Sequence, residues 1–455
     1  MTPRNHTPND LLRALLREAR WTNHSFSLAV NRVAAEAGTA LRYDRTSVSH
    51  WLSGTRPRPP VPAFAAEALS RRLCCSVSAA DTGLGDLAAE EVAHLPEPGS
   101  GLAALHRLTE SDLDPKRRAG LRDQPFRADW LVVPPRQDHP DGPRSLHDGI
   151  PEPGLGTALA AMTSVSRTAD QALGGGHARL ALVTYLSGDV LGRLRSAPTA
   201  RVSGRLVSQV AALTYLIGFK SFDDLRQYLA QHYYRVALLL AGEVDDEECQ
   251  AMTLRGMSAQ ACFLGHHRQA ALLADAAVDH AGTSTSPGTH AVLLGQAAVA
   301  HAALLDRRAA LARLTRAEKH LAKADDAPRS TASTDEADLG HLTGQALAFL
   351  RDHRQAEIAL RASLRRRPEG ERRSRLLTTH QLAELQLRRG NLEQACTTWQ
   401  WFLDECTWVR SGRVRSALRS FATNLRPHRD NALVDRVLRR GEELAHHPAT
   451  PPVER

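Results

Sequence analysis

At 455 residues with 42% hydrophobic side chains, the chain is long enough for two or three domains with sizeable cores. No apolar run of about 18 residues occurs, and no basic start leads into an apolar stretch, so a membrane span and a secretory leader are not expected. The net charge is +8, and residues 1–75 alone hold eleven Arg against five acidic residues. Charge gathered in one small segment points to a polyanionic partner for that segment rather than to a generally basic protein. Aromatic residues make up only 5% of the chain, while Ala, Leu and Arg abound. These residues lose little on entering a helix, so an all-α fold is expected.

Four helices are predicted before residue 85. Leu11, Leu12, Leu15, Leu16 and Ala19 recur at helical spacing after Asn9 or Asp10, either of which can cap the helix. A second stripe runs through Phe26, Leu28, Ala29, Val33 and Ala34 to Ala37, and Gly38 ends it. The third helix follows Asp44 and puts Val48, Trp51 and Leu52 on one face. Its other face carries Arg45, Thr46, Ser47, Ser49 and His50, a small hydrogen-bonding surface of the kind a major groove accepts. Arg42 before it and Arg56 and Arg58 in the Pro-rich loop after it are placed for phosphates. A fourth helix follows Pro62, with Phe64, Ala65, Ala68, Leu69 and Leu73 on one side. The segment therefore resembles an Xre-type helix-turn-helix domain over residues 1–85. It departs from that pattern in the seven-residue connection Gly38–Asp44, where three or four residues are usual.

Residues 86–156 read as a connecting segment in which Pro, Gly and Asp become frequent from 134 onward. Beyond residue 157 a unit of two helices and a polar turn recurs. The turns align at Gly265–Ala270, Leu305–Ala310, Arg351–Ala356 and Gly390–Ala395, with a poorer copy at Pro427–Ala432. A small Ala opening the second helix is the tetratricopeptide signature, so residues 157–455 are expected to form an α-solenoid of that kind. Tyr215, Tyr228, Tyr233 and Tyr234 are candidates to line a ligand groove in its first repeats. The seven Arg between Arg361 and Arg375 read as a solvated turn. Gly174-Gly175-Gly176-His177 lacks the Lys-Ser/Thr ending of a phosphate loop and reads as a structural turn.

The six cysteines form no Cys-x-x-Cys pair and no zinc pattern, as expected of a reduced, cytoplasmic chain that uses Cys as small core residues. Of these, only the adjacent Cys74 and Cys75 invite a redox reading, and nothing marks either as a thiolate. No nucleophile–base pair, carboxylate pair or metal set falls at a convincing spacing, so neither an enzyme nor a cofactor is implied.

Several short motifs occur in a fixed order. They are Asp112-x-Asp114-Pro115-x-Arg117-Arg118, Gly174-Gly175-Gly176-His177-Ala178-Arg179 and Tyr185-Leu186-x-x-Asp189-Val190. Tyr228-Leu229-Ala230-Gln231-His232-Tyr233-Tyr234 and Met257-Ser258-Ala259-Gln260-Ala261 follow. In combination with the first four helices they resemble actinobacterial regulators of Streptomyces that join an Xre-type helix-turn-helix to a tetratricopeptide-like region. The resemblance covers most of residues 9–280. Gly218-Phe219-Lys220-Ser221-Phe222-Asp223 departs from it, since a Trp is expected there. The resemblance implies a cytoplasmic transcriptional regulator of development or secondary metabolism. Such a protein binds double-stranded DNA as a homodimer and takes a peptide, protein or small ligand in its repeats. The alternative is a protein-interaction scaffold whose helix-turn-helix docks protein instead of DNA.

Overall fold

The structure, a computed structural model, describes residues 7–85, 101–122, 124–131, 133, 154–196, 202–283, 285–324 and 329–446. Among these residues the regular elements are helices and no β-strand forms. The first four helices are α1 (Asp10–Glu18), α2 (Asn23–Glu36), α3 (Arg45–Leu52) and α4 (Val61–Leu73). Asn9 caps α1 by accepting from the Leu12 amide, and Thr22 caps α2 by accepting from Ser25. Asp44 and Ser47 close a reciprocal capping box on α3. Leu12, Leu16, Phe26, Val30, Val48, Trp51, Phe64 and Leu69 form the shared core of this head. Leu11 and Leu28, which belong to the expected apolar stripes, instead face outward at 57% and 52% exposure.

The segment read as a connection is partly structured. Helices α5 (Gly101–Leu113) and α6 (Pro115–Arg122) and a single turn at Ala128–Trp130 pack onto the repeats, burying Leu105, Leu108, Phe126 and Trp130. The Pro/Gly-rich stretch at 134–156 lies, up to residue 153, outside the described residues. Then come α7 (Leu155–Leu173), α8 (Arg179–Tyr185) and, after a π-helical turn, α9 (Leu191–Ser196).

Six helical hairpins follow in a solenoid-like arrangement. They are α10 (Gly204–Asp223) with α11 (Gln227–Glu243), α12 (Glu247–Leu264) with α13 (His267–His280), and α14 (Pro287–Ala303) with α15 (Arg307–Leu321). The second three are α16 (Arg329–Phe349) with α17 (His353–Arg366), α18 (Arg372–Arg388) with α19 (Leu392–Glu405), and α20 (Gly412–Leu425) with α21 (Ala432–His446). The five turns aligned in the sequence all join the two helices of a hairpin. Ala270, Ala310, Ala356 and Ala395 are fully buried, whereas Ala432 in the poorer last copy is exposed.

The turns of the first five hairpins share one backbone device. In each, a residue one or two places after the first helix takes a left-handed conformation: Leu225 (φ 62°), Gly265 (91°), Leu305 (64°), Arg351 (64°) and Gly390 (80°). The next amide then reaches back five residues, as in Arg226 to Ser221, His266 to Ala261, Asp306 to His301, Asp352 to Leu347 and Asn391 to Gln386, at 2.8–3.0 Å. This satisfies carbonyls that a helix end would otherwise leave unpaired.

The solenoid closes on its own beginning. The Gly176 amide donates to the Arg410 carbonyl at 2.8 Å and the Arg410 amide to that of Leu173 at 2.7 Å. A side chain on Gly174 or Gly176 would meet the Arg410 carbonyl oxygen at 2.7 or 2.8 Å, and one on Gly175 would meet that of Lys220 at 2.5 Å. The three glycines are therefore a close-packing seam. The amides of Gly175 and Gly176 are already taken, the first by Asp223 at 2.9 Å. Across the same seam Arg373 of α18 pairs with Asp170 of α7 at 3.1 Å and lies 3.6 Å from Asp223 of α10.

Candidate nucleic-acid interface and interior groove

Helix α3 is anchored from beneath. Trp51 is 3% exposed and meets Phe26 and Tyr43 edge-on, with centroids 6.2 and 5.0 Å away. Asn31 of α2 grips Tyr43 at both backbone groups, accepting from its amide at 3.0 Å and donating to its carbonyl at 2.8 Å. The long connection before α3 is thus pinned rather than loose. On the outer side Arg42, Arg45, Thr46, Ser49, His50, Arg56 and Arg58 are exposed, and Ser47 is half-buried. The two serines are already engaged. Ser47 donates to Asp44 at 2.9 Å, while Ser49 donates to the Arg45 carbonyl and accepts from Asn23. Hydrogen bonds from Ser47 hold the Asp44 carboxyl below its ordinary pKa, so an anion sits at the start of α3.

The head rests on the repeats through α4, away from that face. Glu67 of α4 meets His266, in the turn before α13, at 2.9 Å, with both side chains at 2% exposure or less. Arg71 joins Glu67 and Glu36 at 2.7 Å each, and Phe126 stacks on His266 at 5.1 Å. Ala66 and Glu67 are buried as well as Phe64, Ala65 and Ala68, so α4 is covered on two sides.

The first helices of the hairpins line an interior groove of about 790 Å³. Its wall includes Phe219 and Phe222 of α10, Arg255 and Phe263 of α12, His341 of α16, Arg373 of α18 and Arg413 of α20. The Gly218–Asp223 motif builds much of this wall. Phe219 lies under Arg373 at 4.9 Å, Phe222 under Arg413 at 5.0 Å, and Lys220 reaches Asp170 at 3.6 Å. Burial raises the Asp170 carboxyl even against Arg373, and it lowers the Lys220 ammonium even against Asp170. The expected solvated turn at Arg361–Arg375 is therefore corrected in part. Arg367 and Arg373 are buried and paired, Arg367 with Asp338 at 2.8 Å and Glu371 at 2.6 Å.

Of the tyrosines proposed for a groove, Tyr215 lines it. Tyr233 and Tyr234 are fully buried instead. The Tyr233 hydroxyl donates to Asp112 at 2.8 Å, and Asp112 also takes two hydrogen bonds from Arg179 at 2.5 and 3.0 Å. Three of the ordered motifs thus meet in one buried network. Tyr234 packs between Gly218 and Gly256, where an added Cβ would meet its ring at 2.8 and 3.2 Å. Sequence reasoning missed Arg255, His341 and Arg413, which are scattered over three helices. What they share is the inner face of the first helix in a hairpin.

Burial pushes the thiols of Cys249 and Cys262 up to about 12, that of Cys406 to about 11, and that of Cys75 upward. Among the described residues no cluster of His, Cys, Asp or Glu could hold a metal ion, and no helix is long and apolar enough to cross a membrane.

Residues 12–85 match the SP15 N-terminal domain family. The match covers the head alone and ends where its last core residue, Leu84, is buried. No curated protein and no solved structure matches the chain.

Proposed function

We propose that this protein is a transcriptional regulator whose head binds double-stranded DNA through α3, as a helix-turn-helix, and whose tetratricopeptide-like repeats take a ligand. The observation that carries the reading is the exposed face of Arg45, Thr46, Ser49 and His50 on a helix anchored by Trp51 and flanked by Arg42, Arg56 and Arg58. Arg45 suits bidentate recognition of guanine, and the flanking arginines suit phosphates. The docked surface of α4 and the exposed face of α3 are separate, which favours DNA binding by the head while it rests on the repeats. The contact between Glu67 and His266 offers a route by which a ligand that distinguishes two head positions shifts DNA affinity. The ordered motifs extend the proposal to a cytoplasmic homodimer that controls development or secondary metabolism.

The test is binding of the full chain to its own promoter DNA, followed by fluorescence anisotropy over a salt series. Affinity falls with salt with a log–log slope of about −0.9 per phosphate contact. Arg56→Ala is expected to flatten that slope by about 1, and Arg45→Ala to cost about 1–3 kcal/mol and relax base preference. Binding without salt dependence, or unchanged by both substitutions, rules out the DNA reading and leaves the head as a protein-docking module.

A further inference from the structure

The interior groove holds more cationic groups than its carboxylates neutralise. Asp170 pairs with Arg373 and Lys220, Asp338 with Arg367, and Glu384 with His380 and Arg388. Arg255 and Arg413 line the same space; among the described residues neither forms an ion pair with a carboxylate, and Asp223, 3.6 Å from Arg373, is the carboxylate that acts most on Arg413. The Nε atom of each is enclosed and has no hydrogen-bond partner. The Arg413 guanidinium lies against the rings of Phe222 and Phe263, at 5.0 and 5.7 Å from their centroids. His341 accepts from or donates to the Thr378 hydroxyl at 2.9 Å. Burial, and then the charges of Arg367, Arg413, Arg255 and Arg373, push its pKa down to about 3, so the imidazole is neutral.

A guanidinium removed from water without a counter-ion is costly, and a ligand oxyanion supplies what is missing with matched, bidentate geometry. The rings that hold Arg413, together with Phe219, offer an apolar wall beside the charge. A groove of about 790 Å³ is of the size that takes a small molecule. We propose that this groove binds a small organic anion, with its carboxylate or phosphate on Arg255 and Arg413 and its apolar body on Phe219, Phe222 and Phe263. This names the ligand class for the repeat half of the proposed function and rests on that half alone.

The probe is anilinonaphthalene sulfonate, an aromatic body with one oxyanion, titrated into the full chain. Saturable binding at one site is expected, displaced by phenyl phosphate or phenylacetate and not by neutral benzyl alcohol. Which of the two anions displaces it identifies phosphate or carboxylate as the preferred head. Arg413→Gln and Arg255→Gln should each weaken binding about tenfold or more, with Arg255→Lys in between. Circular dichroism checks the fold of each variant. Should Arg413→Gln not fold, the Arg255 position, half-buried like Arg413, carries the test. No saturable binding, equal displacement by the alcohol, or a folded Gln variant at Arg255 with unchanged affinity overturns the proposal. Promoter binding is measured on the same preparations, so loss of the DNA reading and loss of this site are separate results.

Discussion

Arginine is concentrated in two places in this molecule, and the two treat it oppositely. Around α3 the guanidinium groups of Arg42, Arg45 and Arg58 stand in solvent. Along the seam and groove of the repeats, Arg179, Arg367 and Arg373 have side chains 4% exposed or less, each locked to carboxylates. An exposed charge adds little to stability and is available to a partner; an enclosed one cannot lose its counter-charge without cost to the fold. The largest predicted effect separates the two. Arg373→Ala should destabilise the chain by about 3–5 kcal/mol, because buried Asp223 loses its ion-pair partner and buried Asp170 keeps only Lys220. Arg45→Ala should stay within about 0.5 kcal/mol of wild type. Urea unfolding followed by circular dichroism reads both, and equal shifts would erase the distinction.

Acid should act on the interior first. An unfolded histidine protonates near pH 6.5, as a rule, whereas burial and Arg235 hold His232 down to about 4. Burial and four arginines hold His341 to about 3. Both folded values lie below the unfolded one, so the unfolded chain binds more protons below about pH 6.5. The stabilisation is complete above that pH and is lost as pH falls toward 4 and 3, by up to about 1.4 kcal/mol per pH unit for each group. Replacing both with Asn should flatten the dependence of the urea midpoint between pH 6.5 and 4. An unchanged slope would place the acid response elsewhere.

The two regions touch at Glu67 and His266, and the strength of that contact decides how independent the head is. Glu67→Ala leaves His266 buried without its carboxylate and Arg71 with Glu36 alone. A cost of about 1–3 kcal/mol is expected, confined to docking. Amide exchange should quicken in α4 while the groove helices keep their protection. Slowed or unchanged exchange in α4 would mean that the head is held by something other than this pair.

The helices of both regions were legible in the sequence because their signals are local. Asn9, Asp44 and the turn positions of the first five hairpins are caps and turns that neighbouring residues alone determine. The groove was not legible, since Arg255, His341, Arg373 and Arg413 come together only when the solenoid closes. That closure depends on Gly174 and Gly176 facing Arg410 far along the chain, and on Gly175 facing Lys220. Tyr233 and Tyr234 show the same limit from the other side. Their helix could be read from the sequence, but not which of its faces turns inward, and both went to the core. Two groove signals were in plain view: Tyr215, and the Phe219-to-Asp223 run as a departure from an expected pattern.

The smallest effect asks whether the repeats are limited by charge at the seam or by backbone within the hairpins. Leu305 adopts φ 64° where Gly265 and Gly390 occupy the equivalent turn. A non-glycine residue in this region pays about 1–2 kcal/mol of steric strain, while glycine loses about 0.5–1 kcal/mol more backbone entropy on folding. Leu305 is 69% exposed, so removing its side chain gives up little burial. Leu305→Gly should therefore stabilise the chain by about 0.5–1 kcal/mol, and Gly265→Ala, its mirror, should destabilise it by about 1 kcal/mol. Both are read as shifts in the urea midpoint at constant slope. If the pair moves the midpoint and Arg373→Ala costs the same with and without Leu305→Gly, hairpin turns and ring closure contribute independently, as expected for sites without shared partners.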